Sequence, residues 1–585
     1  MTTTTPRQPL FLAAATLGLA LGLHAAPIRT ADGLAAEATP ERPLELRQVA
    51  LDGKALPGVA VRFALHRPQT SEPAGDGFAI EGAWETDGRC LVVRGQATSA
   101  TAQDTAADLV MRLEGCTLPL GTMGDDPLLL PRRLLGKLPL VSLRVGADDV
   151  MALALPPTAL ATFSLRQVDG AVELRFPFGF TTAGPEALRQ RAPFTAVLFR
   201  TEPRWHYRSA LAGYYALYPE AFASRAQAFG GWFFAAPTTD LPNPQHFYYY
   251  EGGPHGDGAA RARGLGTFPY RESSSLTVSL PGTELPKDYA EAMARLDDLE
   301  RRRFPRAWQR KDHYELVPGE GRLGTQGLRV HNPREVLWGG VSQTVTFKEP
   351  LTKPFVIQGW SRAEGVAGAP DHSYAFYVDV CYDDGSYLFG QCAVFETGTH
   401  DWAFAELRVT PSRPVAELRT FALLRGGHTG TAWFDDLRVG PADAPETNWI
   451  DNPGFEDIAV RNDLVFLRDN VCTNARDEMV VAITDNLSAD VGPAVPMNLL
   501  RFTLNVDPDL PDSPEKPSVA GEEFRRFDRM FRDYPKLEGV YIDSVSAWCS
   551  RVLNTRREHW IANDAPFTYD PGTRRVAAVG LFGMR

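Results

Sequence analysis

The chain has 585 residues, too many for one ordinary core, so about three domains are expected. Its formal charge of -12 comes without a Lys/Arg cluster, which argues against nucleic acid as a partner because phosphate binding needs concentrated cations. Eleven Trp, seventeen Tyr and thirty-two Phe fit a neutral partner better, since flat rings stack on the apolar faces of sugars, although most of them will be core.

The chain opens with Arg7, an apolar stretch from Leu10 to Leu23, and His24-Ala25-Ala26. That order predicts a secretory signal over residues 1–26, with an N-terminal membrane anchor as the alternative. No later stretch is apolar for long enough to span a bilayer. The mature protein is therefore expected to be secreted or periplasmic, with no membrane span after signal cleavage.

Residues 42–200 read as short alternating segments broken by Gly, Pro and Asp, for example Gly58–Phe63, Cys90–Arg94 and Val172–Phe176. Period-two runs at short spacing predict an antiparallel β-sandwich, and no catalytic constellation stands out in it. Among six cysteines, Cys90 and Cys116 are the expected disulfide pair, lying in two strand-like runs of this domain. Cys381 and Cys392 pair less well: with Asp384-Gly385 as a two-residue turn, they face Leu388 and Tyr377 and fall out of register. Cys472 and Cys549 show no metal-ligand spacing, which leaves buried thiols or a long-range bridge.

From Trp205 the apolar spacing changes to three and four residues, through Leu211, Tyr214, Tyr215 and Tyr218, so a helix is expected. Gly230–Phe234 follows as the first strand of a barrel. Later segments end on polar groups: Phe247–Glu251, Thr267–Glu272, Val480–Asp485, Leu500–Asn505 and Gly539–Ser544. A buried strand that stops at a carboxylate is how (β/α) barrels present catalytic groups at one face. Lys287–Arg303 is a charged amphipathic helix with Tyr289, Met293, Leu296 and Leu299 as its stripe, and Glu522–Tyr534 is a second helix.

Between these parts, residues 313–440 lose the helical pattern, which predicts an inserted β domain. Its runs include Val341–Phe347, Phe355–Ser361, Tyr374–Tyr382 and Leu418–Leu424. The expected class is thus multidomain α/β plus all-β: a β-sandwich over 42–200, a (β/α)8-type barrel in two parts (203–312 and 446–585), and a β jelly roll over 313–440. About six barrel strands can be counted where closure needs eight, so the barrel is expected to be incomplete at the C-terminus.

Two resemblances sharpen this. Trp433-Phe434-Asp435-Asp436-Leu437-Arg438-Val439 resembles the last strand of jelly-roll carbohydrate-binding modules, and Gly359-Trp360 resembles their internal Gly-Trp strand. The resemblance implies a structural Ca²⁺ near the paired acid, with Asp436 as candidate ligand; no cofactor is expected for catalysis. One departure is that Asn452-Pro453-Gly454-Phe455-Glu456, which resembles the opening of such modules, follows the jelly roll. The whole arrangement resembles large exported bacterial glycoside hydrolases.

A glycosidase needs one protonated and one ionised carboxyl group flanking the bond. Asp543 and Asp485 are the leading pair, with Glu251 as a third catalytic candidate. Trp232, Tyr249, Arg271, Glu272 and Trp548 are the substrate-binding candidates in the cleft. Each has a structural alternative: Asp543 as a helix cap or an arginine partner, Asp485 in a turn, Arg271 and Glu272 bound to each other, the rings in the core. His559 suits a satisfied structural role. In the jelly roll, Trp360, Tyr387 and Trp402 are the candidate sugar contacts, with Trp402 preferred for its turn-like setting. The expected function is hydrolysis of a polysaccharide or glycoconjugate; the alternative is a carbohydrate-binding protein with a silent barrel. No Gly-x-Ser-x-Gly elbow, phosphate loop or His-Glu-x-x-His helix is present.

Overall fold

Antiparallel pairing dominates the secondary structure, and the chain falls into two compact units, residues 1–182, 186–224 and 565–576 forming one and most of 225–564 the other. The computed structural model describes residues 27–579 apart from 122–128, 147–148, 227, 235–237, 254–256, 281–283, 302, 311–312, 335–337, 460–461, 489–494 and 545–552. The expected signal segment lies outside the described residues, and among those no helix is long and apolar enough to cross a membrane.

The first unit is a β-sandwich. One sheet runs in the order Ile28–Arg29, Leu34–Thr39, Arg42–Leu51, Ala60–His66, Thr105–Glu114, Ala171–Phe180, Ser164–Val168; the other runs Leu140–Arg144, Val150–Ala154, Arg191–Arg200, Leu91–Ser99, Phe78–Thr86. Alternation explains the layers. Val172, Leu174, Phe176, Phe178 and Phe180 point between the sheets, against Leu91, Val93 and Leu109.

The outer face of the Ala171–Phe180 strand is closed by charge. Arg175 Nη1 donates to Asp108 Oδ2 at 2.7 Å, and Arg112 and Arg166 both hold Glu173 at 2.8 Å. The 565–576 segment packs here too: Tyr569 donates its hydroxyl to Asp108 at 2.6 Å, and Gly179 N–H donates to the Phe567 carbonyl at 2.8 Å. A side chain at Gly179 would meet the Thr568 carbonyl oxygen at 2.2 Å, so only glycine permits this approach.

Two expectations change in this unit. The helix after Trp205, Tyr207–Leu217, does not open a barrel; its Ala210, Tyr214 and Leu217 cover the outer face of the second sheet, packed with Val92, Ala152, Val197 and Phe199. Cys90 lies in that helix-covered cluster, whereas Cys116 lies in the core between the sheets. Both thiols are free, and burial pushes them up to about 12 and about 11. Residues on opposite faces of a sheet cannot bring their sulfurs together, which is why the expected disulfide is absent.

In the second unit, residues 309–441 form two five-stranded antiparallel sheets. Their orders are Gln309–Arg310, Trp338–Leu351, Val415–Arg425, Tyr374–Tyr382, Tyr387–Val394 and Tyr314–Pro318, Gln326–Asn332, Gly430–Pro441, Phe355–Val366, Gly398–Val409. Tyr374, Phe376, Val378 and Val380 alternate into the core to meet Phe355, Ile357, Leu418, Phe434 and Leu437. Asn452–Glu456 sits against the final strand: Leu437 N–H donates to the Pro453 carbonyl at 3.1 Å, and Phe455 is fully buried beside Trp308.

The rest of this unit contains small sheets. Gly231–Phe234, Phe247–Glu251 and Gly266–Thr267 are parallel, and Tyr270–Arg271 pairs in parallel with Tyr541–Ile542. Ser275–Ser279 and Val481–Ser488 flank Val495–Thr503, both antiparallel to it. The described residues therefore do not form the expected (β/α)8-type barrel, even an incomplete one. Its short parallel pairs are present, but the strands that were to continue it reverse direction.

Candidate active site

Strand alternation assembles the site. Phe234 pairs with Glu251 and Trp232 with Tyr249, so these four side chains share one face of the parallel sheet. The other face carries Phe233, Phe247 and Tyr250, packed on Leu241, Ala260 and Leu265. In the neighbouring pair, Tyr270 lies beside Tyr541, and Glu272 and Asp543 come immediately after the two strands.

The rings of the two sheets meet. Trp232 stacks on Phe234 at 4.3 Å between centroids and on Tyr541 at 5.3 Å, with Tyr270 next at 6.1 Å. Trp232 and Phe234 are 44% and 50% exposed, so this row of rings is a surface rather than a core.

Three carboxylates border it. Burial raises the Glu251 carboxyl above its ordinary range, the charge of Asp543 raises it further, and the Trp232 indole N–H bonded to it acts in the opposite direction. Tyr270 Oη lies 3.1 Å from Glu272 Oε2 and 3.3 Å from Asp543 Oδ2, so a single phenolic proton serves two acceptors. Burial first, then both carboxylates, push that phenol upward. Ser275 Oγ holds the other oxygen of Glu272. Chemically this is a carboxyl pushed toward its protonated form by burial, a second carboxylate near enough to add to that push, and an aromatic wall beside them.

The other sequence candidates fall elsewhere. Asp485 lies inside the Val481–Ser488 strand and pairs with Asn498, remote from Ser274, whose hydroxyl donates to the Ser544 carbonyl at 2.6 Å. Five residues of the Val495–Thr503 strand separate the two positions, roughly 17 Å at strand rise. The cause is direction: Val481–Ser488 runs antiparallel to Val495–Thr503 and continues past Asp485, so Asp485 does not close a strand at the shared end. Arg271 alternates away from Tyr270, and its Nε and Nη2 bind Glu523 at 3.1 and 2.6 Å. Tyr249 commits its hydroxyl to the Ala228 carbonyl at 2.9 Å. Trp548 lies outside the described residues.

His559 is 6% exposed, with Nδ1 against the Asn554 amide at 3.0 Å and Nε2 on the Asp469 carbonyl at 3.1 Å; burial pushes it down to about 4. It lines a small polar pocket with Cys472, Asn505, Asp507 and Asn563 rather than the ring surface.

In the jelly roll, Trp360 and Trp402 lie on the outer face of one sheet, under Arg322 at 4.6 Å and Arg362 at 5.9 Å. Trp402 belongs to the Gly398–Val409 strand, not to a turn. Tyr387 is on the other sheet, stacked on Phe389 at 5.1 Å, so the three rings do not make one site. Asp436 binds the Arg322 guanidinium at 2.7 and 2.5 Å, while buried Asp435 accepts the Arg322 and Asp436 N–H groups at 2.7 and 2.8 Å. Among the described residues no group of three His, Cys, Asp or Glu side chains is placed to hold a metal. This donor set does not fit a Ca²⁺ bound through Asp436.

Tyr270, Tyr541 and Phe234 were missed by sequence reasoning. Their signal was period-two spacing: Tyr270 and Glu272, Tyr541 and Asp543, Phe234 and Trp232 each lie two apart and so share a face.

No protein-family model matches the chain. Over 83 residues it is 31% identical to proteins named tRNA nuclease WapA, of Bacillus subtilis (strain 168), and tRNA(Glu)-specific nuclease WapA, of Bacillus subtilis subsp. natto; this covers 14% of the chain and 4% of their length. Solved structures similar to part of the chain include a family 16 carbohydrate-binding module (14% identity, 22% of this chain, 85% of that one, TM-score 0.17). Two others are the CBM22-1 xylan-binding domain of Paenibacillus barcinonensis Xyn10C (13%, 28%, 92%, 0.18) and the α-L-arabinofuranosidase MgGH51 (14%, 28%, 26%, 0.17). The structural neighbours are thus carbohydrate-binding modules and glycoside hydrolases, alike over part of the chain and at low scores.

Proposed function

We propose that the protein is a glycoside hydrolase in which Glu251 and Asp543 form the acid pair. The observation that supports it most is the upward push on Glu251 from burial and from Asp543, beside an exposed row of rings. A carboxyl pushed upward by burial and by a neighbouring negative charge is suited to give a proton, which leaves the neighbour to act as base or nucleophile. Glu251, protonated, gives its proton to the glycosidic oxygen as the C–O bond breaks. Asp543 answers the positive charge growing on the sugar carbon, either by bonding to it or by drawing a proton from an attacking water. Tyr270 orients Asp543 through its hydroxyl. Glu251 replaces Asp485 as the partner, because the Asp485 strand runs the wrong way.

The test is product release from a panel of polysaccharides. Asp543→Asn is expected to lower turnover by at least about 100-fold, as removal of an acid-base group does, with ligand binding retained. Glu251→Gln should do the same, least of all on substrates whose leaving group needs no proton. Binding without release by the parent chain would leave a carbohydrate-binding protein.

A further inference from the structure

The carboxylates around the ring row say what kind of sugar suits it. Glu272 and Asp543 border the rings beside the proton-bearing Glu251, and Tyr270 ties the first two together at 3.1 and 3.3 Å. The nearest cation in the sequence is turned away. Arg271 follows Tyr270 and so points to the opposite side of the strand, where Glu523 takes it in a two-point contact and also accepts Ser273 Oγ at 3.1 Å. Arg526 lies on the same Glu523 carboxylate at 3.8 Å. Arg261, on the helix after the Phe247–Glu251 strand, is bound to Glu538 at 2.6 Å. Among the described residues, none of these guanidinium groups is left for the ring surface.

We infer that this cleft takes glycans without negative charge, neutral or amino sugars, and rejects uronic-acid and sulfated chains, with Glu272 as a residue that sets the selection. The inference rests on the reading of the ring row as the sugar cleft. Carboxylate and sulfate groups are recognised by arginine forks, and here the forks are occupied elsewhere. An anionic substituent brought beside the rings meets like charge at close range, and Arg271, Arg526 and Arg261 are engaged by Glu523 and Glu538 instead. A neutral sugar needs only the ring faces and hydrogen-bond acceptors, and a protonated amino sugar gains from the carboxylates.

The experiment uses the full chain and three sets of oligosaccharides of matched length: xylan-derived, chitosan-derived and polygalacturonate-derived. Binding is measured by calorimetry at low and at high salt, and only the part lost in Trp232→Ala is assigned to the cleft. Neutral and amino chains should bind, and the acidic chain should bind about 10-fold or more weakly at low salt, a gap that narrows as salt screens it. Glu272→Gln, which is isosteric, should narrow the gap by about 3-fold, since it removes one like charge. Acidic chains binding as tightly as neutral ones would overturn the inference, as would no Trp232-dependent binding of any set. Neutral chains that bind but are never cut count against the hydrolase and leave the charge selection standing.

Discussion

The jelly roll and the acid-bearing strands belong to the same unit but are held together in different ways. The jelly roll closes residues 309–441 with strands of up to 14 residues around a core in which Phe355, Phe376 and Phe434 are fully exchanged from water to packing. The acid pair sits at or just past the ends of strands of two to five residues in sheets of two and three, with half-exposed rings between them. A long alternating strand specifies its own register, since a slip of one residue would turn its whole apolar set outward. A two-residue strand specifies almost nothing alone, and here side-chain bonds such as Arg271–Glu523 and Ser274–Ser544 pin it.

That difference can be broken experimentally, beginning with the largest effect. Phe376→Ala removes a ring from the centre of the jelly roll and should cost about 3–5 kcal/mol in a denaturant titration, the usual range for a buried aromatic. An equal truncation of half-exposed Phe234 should cost far less while weakening glycan binding. If both cost the same, the ring row is core and the contrast fails.

Arg271→Met strips Glu523 of its closest partner and should destabilise by about 1.5–3 kcal/mol, the value of a charged hydrogen bond. Hydrogen exchange should place the loss in the helix Val519–Asp533 and the Tyr270–Arg271 strand, with the jelly roll protected as before. Uniform loss of protection would mean the two regions unfold as one.

Ser518 caps that same helix by accepting the Gly521 N–H at 3.0 Å. Its replacement by Ala should cost about 1 kcal/mol. The local exchange rates at residues 519–523 are the readout.

The smallest effect carries a sign. A carboxyl raised in the folded protein contributes most below its unfolded value and loses that contribution as pH rises through the folded value. Glu251→Gln should therefore raise the melting temperature at neutral pH, and the gain should vanish as pH falls below the ordinary glutamate range. A destabilised variant at neutral pH would show that Glu251 is a structural carboxylate.

The sequence carried unequal information about these regions. Alternation over Tyr374–Tyr382 and the ending at Trp433–Val439 were enough to read an all-β insert, because every second residue there answers to a core. Glu251 and Asp543 were visible as acids at the ends of apolar runs, and the structure places them near each other. Strand direction and length were not visible: Val481–Ser488 alternates equally well whether parallel or antiparallel, so Asp485 was read as closing a strand that in fact runs antiparallel and on to Ser488. Parity was visible but unused at Tyr270 and Arg271, where one step along the chain separates the cleft from the helix face. The Tyr207–Leu217 helix shows its apolar stripe, but a stripe does not name the sheet it covers.

The return of residues 565–576 to the first unit has a consequence in time. Residues 225–564, almost all of the second unit, are made between the bulk of the sandwich and the strip that buries Asp108 and Arg175. At about 5–20 residues per second, roughly 17–70 s pass on the ribosome before Tyr569 exists to cover them. Throughout that interval the Ala171–Phe180 strand shows its polar side to water. A face that must wait is better built of salt bridges, which water tolerates, than of the apolar side chains that would aggregate there. Its charges therefore suit the nascent chain as well as the finished one.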